Sequence, residues 1–476
     1  MPASEVIFSA PPVIDAETDV LVIGAGACGL VSALRAKAAG AEVVIIERDS
    51  SPSGSTSMSS GFVPAPATRF QRAIGINDDT PELFQTDILA KSKGKSHPRL
   101  ARLASRTIGL ALEWLADNHG LEWIVLDDFL YPGHSRHRMH AVPEKTGAAL
   151  EARLLGAVER AEIPIVTDAL ATRLFVSGGR IEAVAIERPG GTEEIVACNA
   201  LILACNGYGG NRKLVRQFIP EIADGLYHGH PGNTGDALQW GKKLGAKLLH
   251  LSGYQGHGSL AYPHAILISW AIMMEGAIQV NSEGRRFSDE HGGYSEQAVN
   301  VLSQPGRIAW NIFDERIHKF ALSFPDYRDA LEAGAIRRAE SVDELATIIN
   351  APVLAIASTL EAAAAMQRGE KSDEFGRDFT GSPALNPPYF AVKVTGALFH
   401  TQGGLDIDNG ARVITENGET FRNLYAGGGA SCGVSGPNVF GYLSGNGLLT
   451  AIAFGFIAGD TAARCAESQT GSQQEA

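Results

Sequence analysis

With 476 residues, 45% of them hydrophobic and 20% charged, the chain can bury one large core or two moderate ones, and its composition excludes a disordered or fibrous protein. A net charge of −13 argues against a nucleic-acid or anionic-membrane partner, because phosphate surfaces select a basic face. The five scattered cysteines (Cys28, Cys198, Cys205, Cys432, Cys465), an odd count with no CxxC pair, indicate neither a disulfide framework nor a zinc knuckle and point to a reducing, cytoplasmic setting.

Residues 1–17 hold no basic stretch followed by an apolar one, and no apolar run approaches the roughly 20 residues of a bilayer span, so neither secretion nor membrane insertion is expected. The apolar, β-branched run 19–23 predicts a buried strand. It ends in Gly24-Ala25-Gly26-Ala27-Cys28-Gly29, and a helix over 30–39 follows and stops at Gly40. A second buried strand over 42–46 ends at Glu47, which completes a βαβ beginning. Residues 65–126 read as mostly helical, with Trp114 on an apolar face. In the loop 131–140, His134, His137 and His140 stand beside Arg136 and Arg138 with no carboxylate or thiol among them. It reads as the exposed lip of a pocket, not a metal cluster. A helix over 147–161 leads to alternating segments at 171–176, 181–187 and 194–198, an antiparallel meander, and a buried strand returns over 200–204. From 236 to about 383, amphipathic helices surround one apolar segment, 278–281, as in an inserted domain. After Asn386, short strands, glycine turns and a final apolar helix over 448–463 complete the first domain. The expected fold is α/β: a Rossmann-type domain of residues 1–235 and 386–476, with an inserted α+β capping (substrate) domain, 236–385.

A lone GxGxxG is a weak signal, but this one follows a strand, opens a helix and precedes an acidic residue ending the second strand, the context that dinucleotide binding requires. Gly24 and Gly26 let the backbone approach a pyrophosphate, Gly29 lets helix and strand pack closely, and Ala27 and Cys28 lie at the positive helix end. Glu47, followed by Arg48, would accept hydrogen bonds from ribose hydroxyls. The small-residue loop after it (Gly54, Ser55, Thr56, Ser59, Ser60, Gly61) suits a chain that wraps the flavin side of FAD. No second GxGxxG follows another strand, so the expectation is one FAD and an external electron acceptor.

Four further segments resemble the FAD-dependent fumarate reductase/succinate dehydrogenase flavoprotein family. Residues 204–211 resemble its ATGG element, and 424–429 resemble its late LYAAGE strand, with Gly429 where the acidic residue usually stands. Residues 231–236 (Pro-Gly-Asn-Thr-Gly-Asp) resemble the PGNTGDG junction into a mobile cap, and 275–290 the cap segment GxGAILVNxxGxRFxNE. The resemblance runs from Asp19 to about Gly459. It implies further cofactor contacts at Ala169, Ala204, Asn206, Gly207, Asn211, Asp236, Gly428, Gly429, Asn446, Gly447 and Leu448. The succinate dehydrogenase branch attaches flavin through a histidine in the small-residue loop; residues 50–62 contain none, which implies non-covalent FAD.

Matched to the soluble fumarate reductases, His257 and His400 keep the family's histidines, while its Thr-Glu-x-x-Arg relay positions read Ser269, Trp270 and Met273 and its two further arginine positions read Tyr294 and Tyr442. The arginines that would clamp a C4 dicarboxylate are missing. Tyrosines at the last two places resemble the 3-ketosteroid dehydrogenases, although the turn Tyr442-Leu443-Ser444-Gly445 lacks their proline. That resemblance implies that the Tyr442 hydroxyl and a backbone N–H near Gly445 polarise a ketone oxygen. Tyr294 would remove the α-proton, its pKa pulled down from ~10, while the β-hydrogen leaves as hydride to flavin N5. The two tyrosines read alternatively as pocket walls, and His257 and His400 as structural residues. The expectation is an FAD-dependent oxidoreductase acting on CH–CH groups, which desaturates a ketosteroid or a smaller alicyclic 3-oxo compound and passes electrons to a quinone or flavoprotein. Two alternatives stand beside it: a partner-fed reductase of an activated alkene, and a non-catalytic flavin electron-transfer protein.

Overall fold

The computed structural model describes residues 4–474; residues 1–3 of the N-terminal stretch lie outside the described residues. The chain divides into two compact units, one of Met1–Phe218, Gly229–Tyr254 and His400–Ala476, the other of Ile219–His228 and Gln255–Phe399.

In the first unit the strand Ala16–Ile23 runs parallel to Val43–Ile46 on one side and to Glu193–Leu203 on the other. Val20, Leu21 and Val22 are fully buried, which is why this run shows no polar alternation. The helix Ala27–Ala38 starts inside the glycine turn, three residues before its apolar periodicity begins, because Gly26 supplies the extended backbone of its cap. The two predicted strands at 194–198 and 200–204 are one 11-residue strand, Glu193–Leu203. It pairs antiparallel with Arg180–Glu187 at its start and parallel with Ala16–Ile23 and Thr420–Ala426 toward its end.

The C-terminal helix Asn446–Gln474 lies along Ala27–Ala38 through a glycine face. A Cβ at Gly455 would fall 2.6 Å from the Cys28 carbonyl oxygen, and one at Gly459 2.2 Å from that of Ser32. Its segment Asn446–Glu467 is long and apolar enough to cross a membrane, at a mean hydropathy of 1.3, which corrects the expectation that no run approaches that length. More than half of the apolar window, 56%, is buried inside the protein, so this helix is part of the core.

The loop 131–140 is not an exposed lip. Arg138 and His140 are fully buried and His134 is 5% exposed, because Met139–Ala141 is a strand held between Val63–Pro64 and Ile124–Leu126. The carboxylates missing from the loop come from far away in sequence: Asp79 and Asp87 grip the Arg138 guanidinium at 2.8 and 2.5 Å.

The second unit is built on a seven-stranded sheet. Its middle strand, Tyr389–Thr401, pairs antiparallel with Ile308–Asp314 and Ile336–Ala339 and parallel with Leu226–Tyr227. The sequence reading places 386 onward in the first domain, yet Ala391, Val392, Val394 and Ala397 are fully buried in this sheet. The boundaries 236–385 differ from the observed units in the other direction too, since the helix Asp236–Leu244 belongs to the first unit. The segment 275–290 is anchored by a buried charge cluster in which Arg286 pairs with Glu290 (2.6 Å) and Asp373 (2.7 Å), and Arg377 with Glu290 (3.1 Å).

Candidate active site

The turn 24–29 holds Gly24 at φ +106°, a conformation that glycine adopts without strain. A Cβ at Gly29 would fall 1.8 Å from the Gly24 carbonyl oxygen, so the helix can start against the strand only without a side chain there. The helix Ala27–Ala38 has no side-chain cap and no acidic residue in its first turn, and its positive end is therefore suited to a pyrophosphate. The Ala27 N–H donates to Thr56 Oγ1 at 2.9 Å and ties the small-residue loop to this end. Glu47 accepts from the N–H groups of Ala25 (2.9 Å) and Asp49 (3.1 Å), Ala169 N–H donates to the Glu47 carbonyl, and Arg48 donates to the Gly232 carbonyl at 2.7 Å. Within the loop, Ser59 Oγ donates to the Thr56 carbonyl and accepts from Gly61 N–H. Ser55 Oγ accepts from both Asn206 Nδ2 (2.9 Å) and Asn233 Nδ2 (3.1 Å). Gly54 has open space around it, and Ser60 is half-buried.

Two strand ends close over this loop. Ala204 N–H continues the ladder to Ile23, and Asn206, at φ +63°, accepts from Gly207 N–H at 2.8 Å. A Cβ at Gly429 would fall 2.2 Å from Asn206 Oδ1, so the family's acidic residue has no room here while Asn206 holds this place. Gly428 packs against Cys28, whose thiol burial pushes up to about 12, out of the nucleophilic range. Asn211 caps the helix Arg212–Phe218 by accepting from the N–H groups of Lys213 and Leu214, and Asp236 accepts from the hydroxyls of Ser4 and Thr234, both at 2.6 Å. These two side chains are committed to the fold of the turn 231–236. Asn446 is fully buried at the start of the C-terminal helix, just before Gly447 and Leu448. Its Nδ2 donates to Ser435 Oγ (3.0 Å), but its Oδ1 has no partner among the described residues, an orphan that a ligand N–H would satisfy. The open helix end, the side-chain-free turn and this orphan together fit FAD. Replacing Gly29 by alanine is expected to yield protein that purifies without flavin absorbance; a fully yellow variant would contradict this account of the turn.

In the first unit the rings of His400 and Tyr442 meet edge to face at 5.5 Å. Both lie over Gly447, where a Cβ would stand 2.8 Å from His400 Nε2 and 3.7 Å from Tyr442 Oη. Ser435 Oγ donates to Gln402 Oε1 (2.7 Å), which orients the amide and places Gln402 Nε2 3.1 Å from His400 Nδ1. His400 Nδ1 also lies 3.3 Å from the Thr401 carbonyl, Nε2 faces Gly447, and burial keeps the imidazole neutral by lowering its pKa to about 4. Gly445, at φ +84°, packs against Pro64, and its N–H has no protein acceptor among the described residues.

In the second unit Tyr294 opens the helix Tyr294–Leu302. Its ring stacks on His257 (4.9 Å, 27°) and meets Trp270 edge-on at 6.3 Å; His257 stacks in turn on Phe399 at 5.1 Å. Ser259 N–H donates to His257 Nδ1, which places the proton on Nε2, and burial lowers this histidine to about 3. Trp270 and Met273, where fumarate reductases carry charge, are buried core residues; Trp270 Nε1 donates to the Glu290 carbonyl and His291 Nε2 to that of Met273.

Sequence reasoning missed Gln402 and Glu151, and placed His134 only on an exposed lip. Glu151 lies on the buried face of Gly147–Arg160 with Gly147, Leu150, Leu154 and Val158, and this i, i+3, i+4 spacing was the available signal. Burial raises its carboxyl to about 7, against a bond from Ser57 in the small-residue loop, and its Oε1 has no partner among the described residues. A carboxyl raised in the folded state stabilises the fold below its unfolded pKa and loses that contribution as pH rises through the folded value. The stability that Glu151 contributes should therefore fall between pH 4.5 and about 7, so the melting-temperature difference between wild type and Glu151→Gln should shift toward the variant across that window. Parallel melting curves for the two proteins would contradict it.

Residues 19–448 match the family described as FAD binding domain. The protein is an FAD-dependent oxidoreductase of the class acting on CH–CH groups. It belongs to the FAD binding domain family, and relatives similar to it include fumarate reductases. It is 29% identical over 452 residues to the probable fumarate reductase Ifc3 of Shewanella frigidimarina, covering 94% of this chain and 75% of that protein. Among solved structures it is similar to the open conformation of a flavocytochrome c3 fumarate reductase, with a TM-score of 0.80 at 26% identity over 95% of this chain and 79% of that one. It also shares the fold of 3-ketosteroid-Δ4-(5α)-dehydrogenase from Rhodococcus jostii RHA1, with a TM-score of 0.76 at 22% identity over 96% and 99% of the two chains.

Proposed function

We propose that the protein is a flavin-dependent dehydrogenase that introduces a C=C bond α,β to the ketone of a cyclic 3-oxo compound, a ketosteroid or a smaller alicyclic ketone. The observation that carries this reading is Tyr442, whose hydroxyl lies over Gly447 beside the neutral His400. The chemistry supplied by bound FAD is acceptance of a hydride at flavin N5. The chain's own residues do the rest. Gly24, Gly26, the end of Ala27–Ala38, Glu47 and the loop 54–61 would hold the cofactor, non-covalently since no histidine stands in residues 50–62. Tyr442 O–H and Gly445 N–H bind the ketone oxygen at the start of a long helix, whose positive end favours developing enolate charge. Tyr294 takes the α-proton, the β-hydrogen departs with its electron pair, and an enone remains. An external quinone or flavoprotein removes the electrons. The five free cysteines support a cytoplasmic setting.

Likeness to fumarate reductases favours a second reading, reduction of an activated alkene fed by a partner. Tyrosines in place of the arginine at 294 and 442 weigh against a dicarboxylate substrate. The two readings separate in deuterium oxide under anaerobic conditions: a saturated ketone recovered from the enzyme should carry deuterium at its α-carbon. No exchange, together with turnover of fumarate by the chemically reduced protein, would favour the second.

A further inference from the structure

The loop 131–140 carries a saturated polar network ending on the turn that follows Tyr442. Asp79 accepts from Arg138 Nε (3.0 Å) and Nη2 (2.8 Å) and from Gln71 Nε2 (2.8 Å). Asp87 accepts from Arg138 Nη1 (2.5 Å) and from both the N–H and the hydroxyl of Ser135. With two carboxylates and a face on the Phe84 ring, the guanidinium has one position. Its Nη1 also lies 3.3 Å from His134 Nδ1. A guanidinium only donates, so Nδ1 must accept and the His134 proton must sit on Nε2. That N–H donates to the Ser444 carbonyl at 3.0 Å. The imidazole stacks on Phe84, and burial keeps it neutral. At Gly133 the loop touches the turn so closely that a Cβ would meet Leu443 Cδ1 at 2.8 Å.

A trans peptide points its carbonyl and the following N–H in opposite directions. Anchoring the Ser444 oxygen on His134 therefore turns the Gly445 N–H to the other side. We infer that His134 is a positioning residue: it holds the Ser444–Gly445 peptide so that Gly445 N–H is presented to the substrate oxygen, while Arg138, with Asp79 and Asp87, sets its tautomer and place. The inference rests on the reading of Gly445 as a ketone-polarising donor.

The test pairs His134→Phe, which keeps a ring on Phe84 but removes the donor, with His134→Gln, which restores a donor for Ser444 and an acceptor for Arg138. Should phenylalanine prevent folding, His134→Met takes its place. Measured together are kcat and KM for a saturated ketone, flavin content, and hydrogen–deuterium exchange of the backbone amides at 443–447. His134→Phe is expected to lower kcat about ten- to a hundred-fold, a part of what deleting an oxyanion donor costs. KM and flavin content should stay near wild type and amide exchange should quicken, with most of both effects reversed in His134→Gln. Wild-type kcat in His134→Phe, or equal loss in both variants, overturns the inference. If the wild-type protein oxidises no ketone, the proposed function fails by itself. Exchange then decides the anchoring: faster exchange rescued by Gln supports it, and unchanged exchange overturns it.

Discussion

Replacing Tyr294 by phenylalanine is expected to lower kcat for ketone oxidation by about 10³-fold, inside the 10²–10⁴-fold range that a positioned proton-transfer group contributes. The change removes one oxygen atom. The ring itself is held by stacking on His257 and by the edge of Trp270, and phenylalanine keeps both contacts, so the second unit should fold as before. Flavin content and the visible spectrum should be unaltered, because the residues proposed to hold the cofactor lie in the first unit. What is lost is the acceptor for the α-proton, and with it deuterium exchange into the ketone. A kcat close to wild type would reduce Tyr294 to a wall of the pocket.

Replacing Tyr442 by phenylalanine is expected to lower kcat by about 10²-fold or more, the usual consequence of deleting one oxyanion-stabilising donor. The hydroxyl stands beside His400, whose ring meets that of Tyr442 edge to face. The Gly445 N–H, proposed as the second donor, remains after the substitution, and activity should be weakened without being abolished. The loss should fall on kcat, since the enolate-like oxygen gains more from the donor than the ground-state ketone does. A rise in KM alone would make Tyr442 a binding residue.

The parts of this fold legible in sequence are those whose cause is local. The glycine turn 24–29 is legible because close backbone approach excludes every side chain at Gly29, and the strand 19–23 because a strand covered on both faces reads as an unbroken apolar run. Parts with distant causes are not legible. The acids that bury Arg138 lie 59 and 51 residues before it, so the loop 131–140 looks uncompensated and exposed when read alone. The strand Tyr389–Thr401 follows a proline-rich turn and looks like a return to the first domain. Only its pairing with Ile308–Asp314 and Ile336–Ala339 assigns it to the second unit's sheet. In the candidate site, residue identities such as Tyr294, Tyr442 and His400 are legible, but the Ser435 hydroxyl that orients the Gln402 amide beside His400 comes from a distant segment. Gly429 looks like a missing acid in sequence; in three dimensions, Asn206 occupies the space that acid would need.

The most direct test of ketone desaturation is anaerobic mixing of the oxidised protein with a panel of saturated cyclic ketones, a ketosteroid and succinate, following the visible absorbance of the bound flavin. Rapid bleaching by at least one ketone is expected, with a conjugated enone as product and no bleaching by succinate. Bleaching by succinate alone would contradict it, and would mean that arginines elsewhere in the chain bind a dicarboxylate.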